Sequence, residues 1–217
     1  MAGVSEPAKR RRVPAMAPEE RRAALIAVTV PLLREHGLAV TTRQIADAAG
    51  VAEGTIFGVF PDKNTLLRAA VLHAFDPEPL VDSLRGVAGG GDLRSRLVAV
   101  VDLLRWRLSA NEPLVAAIRK MAGDPAAGQE FLERMQETRR AMLAGIAAVI
   151  EPDAALLRRD PRSAARLLLM MVMASVHNGF GDRTALGGLS SAEVVSLVLD
   201  GLLVRTPVET APTGGYR

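Results

Sequence analysis

Residues 41–63 read TTRQIADAAGVAEGTIFGVFPDK, and this stretch decides the fold. Thr41 with Gln44 three residues later forms the pattern of a capping box, in which two side chains satisfy backbone groups at the start of a helix. The pattern predicts a short helix that ends at Gly50, because glycine adopts the left-handed conformation of a helix end without strain. After a tight connection, the sequence predicts a second short helix over Glu53–Val59.

A longer amphipathic helix flanks this pair on each side. The first begins at Pro18, because proline suits the first turn of a helix, and ends at Gly37. The second follows Asp62, which can cap it, and we expect Ile56 and Phe60 to be buried. Two such short helices need bracing by their neighbours. The arrangement is typical of a DNA-reading helix-turn-helix, although helix pairs with small residues at the crossing also occur in plain bundles.

The same region, from about residue 18 to 75, resembles the DNA-binding domain of TetR-family transcriptional regulators. The shared residues are the threonines at 41 and 42, Ile45-Ala46, Ala49-Gly50-Val51, Gly54-Thr55, the aromatic residue 57, Phe60 and Lys63. The rest of the chain matches the family in the number and order of its helices. The resemblance implies a homodimer whose second short helix enters the major groove of a palindromic double-stranded DNA operator. We therefore expect a ligand-responsive regulator, most simply a repressor, and no catalytic residues.

Carried over position by position, the resemblance implies roles for individual side chains. The hydroxyl groups of Thr42 and Thr55 would donate hydrogen bonds to phosphates, and Lys63 would place its ammonium against another phosphate. Arg43 would read a base, because a guanidinium fits guanine O6 and N7 bidentately. The full set of candidate DNA-binding residues is Thr41, Thr42, Arg43, Glu53, Gly54, Thr55, Phe57, Gly58, Val59 and Lys63.

Alternatives and departures accompany these assignments. Arg43 could instead form a local ion pair with Asp47, and Lys63 could be a solvated surface lysine. Phe57 stands where the family commonly has tyrosine, so a phosphate-contacting hydroxyl is missing. Gly58 and Val59 replace larger polar or aromatic residues. We therefore expect methyl contacts to thymine, DNA shape and a basic arm to carry more of the recognition.

The sequence as a whole predicts four segments. Residues 1–17 form a flexible basic arm whose Lys9–Arg12 run either enters a minor groove or is a disordered tail. Residues 18–76 form the helix-turn-helix domain, residues 77–205 a helical ligand-binding and dimerisation domain, and residues 206–217 a loose tail.

Turn residues at 76–79 and 87–91 predict a boundary zone, and helical patterns follow it. We place helices at 92–109, 113–122, 126–150, 161–179 and 190–204. No segment alternates as a strand does, so the predicted fold class is all-α.

The predicted helices at 161–179 and 190–204 are apolar around most of their circumference. Such helices are buried on more than one side. We expect them to form the homodimer interface as a four-helix bundle between protomers, in agreement with TetR-like proteins. The alternative is one large monomeric core.

The other helices could enclose a site for a small apolar or amphipathic effector. Its candidate lining residues are Trp106, Met121, Phe131, Met135, Met142, Met170, Met173 and His177. Methionine adapts to irregular apolar shapes, but most methionines at helical spacing are ordinary core residues. One rival interpretation is a protein-interaction platform without ligand, and a weaker one is a helical small-ligand carrier or enzyme.

Composition excludes several classes of protein. The chain has 217 residues, no cysteine and a formal net charge of +3, and aromatic residues make up 3% of it. The absence of cysteine excludes disulfides and thiolate metal sites, and the histidines at 36, 73 and 177 are far apart, so we expect no metal and no cofactor. No apolar run approaches the length of a membrane span, which favours a cytoplasmic protein associated with the nucleoid when bound to DNA.

Overall fold

Helices make up the structure. The computed structural model describes residues 17–121, 125–176 and 188–202, with the side chains of 17–118, 128–176 and 188–201. None of these residues forms a β-strand, so the all-α prediction is confirmed. The α-helices are α1 (Pro18–His36), α2 (Thr42–Ala49), α3 (Glu53–Phe57), α4 (Lys63–Ala74), α5 (Glu78–Ala88), α6 (Leu93–Met121), α7 (Pro125–Ile150), α8 (Pro161–Val176) and α9 (Ser191–Leu202).

The chain divides into two compact units between His73 and Ala74. In the first unit, α2 packs against α1 and α3 around a small apolar core. The largest fully buried side chains of this core are Leu25, Leu33, Ile45, Ile56, Phe60, Leu66 and Leu67. They come from all four helices and from the turn after α3, so each short helix is held by its neighbours.

The second unit is a bundle in which α7 packs against α5 and α8, while α6 packs against α8 and α9. Its core is aliphatic, and its fully buried members include Val100, Val101, Leu104, Ile146, Val149, Leu168, Val172 and Val194. The predicted helix at 161–179 is described as far as Val176. The last residues of the predicted helix at 190–204 also lie outside the described part of the chain.

One helix, α5, differs from the prediction, since the sequence indicated only a boundary zone between residues 76 and 91. Its prolines, Pro77 and Pro79, precede the helix or lie in its first turn, where no intrahelical donor is lost. Leu80 and Leu84, one turn apart, are both buried. This spacing was the signal for a helix, and the flanking turn residues concealed it.

The predicted helices at 92–109 and 113–122 form a single helix, α6, which continues through Pro113. Tertiary packing overrides the lost backbone hydrogen bond, because Leu114 is fully buried next to the proline. Asn111, also buried, donates from Nδ2 to the Ala74 carbonyl oxygen at 3.4 Å. The helix therefore remains anchored on both sides of Pro113.

No helix among residues 17–121, 125–176 and 188–202 has the length and apolar character needed to cross a lipid bilayer.

Gly145 of α7 packs against Leu84 of α5. A β-carbon there would lie 2.5 Å from Cδ1 of the buried Leu84 side chain, which would have to shift. We expect Gly145→Ala to lower the free energy of unfolding by about 1–3 kcal/mol through overpacking. Urea unfolding followed by circular dichroism measures this change in the free energy of unfolding. The matched control is Gly86→Ala on the exposed side of α5, which meets no atom within 4 Å and should raise stability by up to ~1 kcal/mol. Equal stability of the two variants would contradict the packing argument.

Candidate nucleic-acid interface

The N-terminus of α2 has the capping box that the sequence predicts. The backbone N–H of Gln44 donates to Thr41 Oγ1 at 3.1 Å, and the backbone N–H of Thr41 donates to Gln44 Oε1 at 2.8 Å. At the other end, Gly50 adopts the left-handed conformation with φ +65°. The Val51 N–H then donates to the Ala46 carbonyl at 3.0 Å and closes the turn. These bonds fix the direction in which the chain enters α3.

Helix α3 ends at Phe57, two residues before the predicted end at Val59. The chain then turns, with the N–H groups of Val59 and Phe60 both donating to the Ile56 carbonyl at 3.0 and 2.8 Å. Ile56 and Phe60 are buried, as predicted. They hold this single turn of helix against the first unit and leave its other side in solvent.

The exposed side of α3 carries few hydrogen-bonding groups. Glu53, Gly54, Phe57 and Gly58 are exposed, and Phe57 keeps 51% of its surface accessible. A β-carbon at Gly54 would meet nothing within 4 Å. Thr55 is partly buried. Another surface could therefore approach the α3 backbone closely at Gly54.

Two polar side chains at the start of α2 and α3 contact each other. The Thr42 hydroxyl donates to the Glu53 carboxylate across the turn. Arg43, the next residue, is exposed, and no ion pair joins it to Asp47 in the part of the chain that the structure describes. The local ion pair considered as an alternative role for Arg43 is therefore absent.

Lys63 at the start of α4 is held in place. Its Nζ donates to the Leu38 carbonyl oxygen at 3.2 Å, which leaves two ammonium protons for another acceptor. Asp62 caps the helix as predicted, and the Thr65 N–H donates to its Oδ1 at 2.7 Å. This backbone hydrogen bond lowers the pKa of Asp62 below its ordinary value of 3.8, so the cap stays ionised to a lower pH than an ordinary aspartate does.

One further contact of this unit has no local sequence signal. The Arg22 guanidinium of α1 lies over the Phe60 ring, 4.5 Å from its centroid. A cation over an aromatic face is attracted by the ring quadrupole. The contact links α1 to the turn after α3 and adds to the bracing of that turn.

Comparison with known proteins identifies the family. The family model described as bacterial regulatory proteins, tetR family, matches residues 25–70, which contain α2, α3 and most of α1 and α4. The HTH-type transcriptional regulator BetI of Burkholderia cenocepacia is 30% identical over 156 residues, covering 61% of this chain and 79% of that protein. The chain belongs to the TetR family of transcriptional regulators. Its family and the names of its relatives indicate a regulator and not an enzyme.

Other comparisons agree with this assignment. The HTH-type transcriptional repressor KstR2 of Rhodococcus jostii is 32% identical over 117 residues, covering 51% of this chain and 54% of that protein. A TetR transcription regulator from Haloarcula marismortui shares the fold with a TM-score of 0.61 and 23% identity, over 86% of this chain and all of that chain. A transcriptional regulator from Rhodococcus sp. does so with a TM-score of 0.55 and 24% identity, over 88% of this chain and all of that chain. TetR-like structures thus support an N-terminal helix-turn-helix and a C-terminal helical domain.

The candidate effector-binding residues of this TetR-family chain lie in different environments. Met142 is buried in the core of the second unit, and Met135 is half-buried. Phe131 packs edge-on against Phe75 with ring centroids 5.4 Å apart. The other candidates are exposed or lie beyond the described side chains: Trp106, Met170 and Met173 are exposed, whereas Met121 and His177 fall outside the residues whose side chains are described.

A groove of about 300 Å³ opens between α5 and α7, and none of the predicted effector-binding residues lines it. Its lining residues are Val81, Leu84, Arg85, Ala88, Ala141, Ala144, Gly145 and Ala148. The predicted effector site therefore stays a prediction.

The Thr41 cap offers a test of how α2 is stabilised. We expect Thr41→Ala to lower the free energy of unfolding by about 0.5–2 kcal/mol, because the Gln44 N–H loses its acceptor at the start of α2. Thr41→Ser keeps the hydroxyl oxygen and is the matched control. Thermal unfolding followed by circular dichroism measures both variants. Equal losses in the two would show that the methyl group matters and the cap does not.

Proposed function

We propose that this TetR-family chain is a ligand-responsive repressor that binds a palindromic DNA operator as a homodimer. The observation that carries the proposal is the exposed side of α3, which the buried Ile56 and Phe60 hold rigidly beside the capped helix α2. Helices in this arrangement place the N-terminal residues of the second helix against base edges in the major groove. The repressor name of the relative KstR2 supports the direction of control.

Within this interface, positive side chains have two distinct roles. Arg43 is exposed and has no ion pair with Asp47, so its guanidinium is available to read guanine. Lys63 is fixed by its bond to the Leu38 carbonyl and presents a localised charge to a phosphate. Thr55, Gly54 and Phe57 complete the contact surface of α3. The Lys9–Arg12 arm lies outside the described residues and stays a prediction.

Substitution of Arg43 and Lys63 separates base reading from phosphate binding. Operators selected by the wild-type protein from a random duplex pool serve as probes in gel shifts. Arg43→Ala should relax specificity at one base pair in each half-site by about 1–3 kcal/mol. Lys63→Ala should weaken binding to all duplexes alike and reduce the slope of log affinity against log salt by about one.

Two outcomes would contradict these assignments. A uniform loss from Arg43→Ala would make that residue a phosphate contact. Equal wild-type affinity for selected and random duplexes at physiological salt would contradict the regulatory function itself.

The proposed dimer interface is an apolar surface on α8 and α9. On α8, Leu167, Met170 and Met173 recur every three residues and are 44%, 64% and 38% exposed. Leu197 of α9 is 55% exposed. Large apolar side chains grouped on adjacent helices are typical of protein interfaces. A second copy of the chain would cover this surface through a two-fold axis.

Polar contacts fix the positions of α8 and α9 within one protomer. The Arg105 guanidinium of α6 donates to Ser175 Oγ of α8 at 3.2 Å and to Ser191 Oγ of α9 at 3.3 Å. It also donates to the Leu189 carbonyl at 2.8 Å, just before α9. One side chain thus links three helices, so the apolar surface is presented as a unit.

A charge placed on this surface should prevent dimerisation. We expect Met170→Glu to convert the dimer to monomer at micromolar concentration, since burying an unpaired carboxylate is unfavourable. Sedimentation velocity measures the change. Leu132→Glu on α7, where the leucine is 58% exposed, is the matched control and should leave the dimer intact. A monomeric wild type, or a dimeric Met170→Glu protein, would contradict the proposed interface.

Release by a small apolar or amphipathic molecule completes the proposed function. The effector must bind the conformation that cannot hold the operator more tightly than the conformation that can. Only such a difference in affinity shifts the equilibrium between the two. A thermal-shift screen of small molecules identifies effectors, since a ligand of the native state raises the unfolding midpoint. Each one found is then tested for release of the operator complex.

A further inference from the structure

The hydrogen bond between Thr42 and Glu53 joins the first residues of α2 and α3. Glu53 is exposed and Thr42 is half-buried. Glu53 is an acidic residue on the side of α3 that would face negatively charged DNA. A carboxylate at this position repels phosphates, and a hydrogen bond to a base would offset that electrostatic cost.

The number of protons on each group limits what Thr42 can do. A threonine hydroxyl has one proton to donate, and here that proton goes to Glu53. In this arrangement Thr42 cannot also donate to a phosphate, which is the role that family resemblance implied. The carboxylate has two oxygens and about four acceptor positions. Thr42 is the one hydrogen-bond donor to it among the described residues, so it can accept further bonds.

We propose that Glu53 is a specificity-determining residue of the DNA interface, that it selects a base pair presenting cytosine N4, and that Thr42 is the residue that positions it. The inference rests on the proposed DNA-binding function. A carboxylate only accepts hydrogen bonds, and the cytosine N4 amino group is a major-groove donor suited to it. Adenine also offers an amino donor, but its neighbouring N7 is an acceptor and repels a carboxylate.

The surroundings of Glu53 fit this role. Gly54, the next residue, is exposed and leaves open space where a β-carbon would lie, so the backbone can approach the base edges closely. Thr42 restricts the carboxylate to one orientation before DNA arrives, which reduces the entropy lost on binding. At any base pair without an amino donor, the carboxylate loses its hydration without gaining a partner. Glu53 thus also penalises wrong sequences.

Selection from a random duplex pool tests the base preference. The wild type should select a cytosine at one position in each half-site, preferred by roughly 5- to 150-fold over other bases. Glu53→Ala should lose this preference and bind random duplexes more tightly than the wild type does. Glu53→Gln, nearly the same size, should change the preferred base to adenine, because an amide pairs bidentately with adenine N6 and N7.

The positioning role of Thr42 has its own test. Thr42→Val should weaken the preference at the same base pair, and Thr42→Ser, which keeps the hydroxyl, should restore it. When Glu53→Ala is already present, Thr42→Val should cause no further loss of base preference, because Thr42 acts through Glu53. Circular dichroism of every variant confirms that the helices are retained.

Three results would overturn the inference. If Glu53→Ala selects the wild-type motif unchanged, Glu53 does not read a base. If Thr42→Val weakens binding to all duplexes alike, and by the same amount when Glu53→Ala is also present, Thr42 donates to a phosphate. If Glu53→Gln keeps the preference for cytosine, the carboxylate is not the selecting group. A wild type that selects no motif at all would instead contradict the proposed function on which the inference rests.

Discussion

The burial of Ile56 and Phe60 is the constraint on which the exposed surface of α3 depends. Helix α3 has five residues and cannot be stable alone, since a helix of this length has not recovered the cost of its first turn. Its geometry comes from these two side chains, which are packed into the first unit. The buried apolar side chains on the inner side of α3 hold the helix in place. Its outer side can therefore carry residues that contribute nothing to folding. The separation explains how such a short helix can be both held in place and exposed.

Helix ends provide the second level of control. Thr41, Gly50 and Asp62 each satisfy backbone groups that a short helix would otherwise leave without partners. These ends also set the direction of the chain between helices, and so determine where Arg43, Glu53 and Lys63 lie. Local capping chemistry therefore acts on function indirectly, through the positions of the groups that would meet DNA.

Local rules predicted the first unit well, because its information lies in short-range patterns. The Thr41–Gln44 pair, Gly50 and the buried Ile56 and Phe60 could all be read from spacing, and the structure confirms them. The same rules failed at Pro113, where tertiary packing overrides the local signal, and for α5, where the flanking turn residues concealed the spacing of Leu80 and Leu84. Contacts between residues distant in sequence had no local signal at all. Arg22 over Phe60 and Lys63 on the Leu38 carbonyl are of this kind. The candidate effector residues share only their residue type, and the exposure of Trp106 shows that residue type does not determine burial.

The Thr42–Glu53 bond shows how a carried-over role can change while the motif stays intact. Thr42 matches the family position, yet its only proton is held by a neighbour that is itself part of the motif region. The hydrogen-bonding capacity of a DNA interface therefore has to be counted by protons and lone pairs, not by residue types. Counted in this way, the exposed charged groups at the start of the two helices are one donor, Arg43, and one acceptor, Glu53. A donor and an acceptor of opposite charge can discriminate more base pairs than two donors, because each rejects the bases that the other accepts. The proposed DNA interface can thus be selective although α3 has few polar side chains.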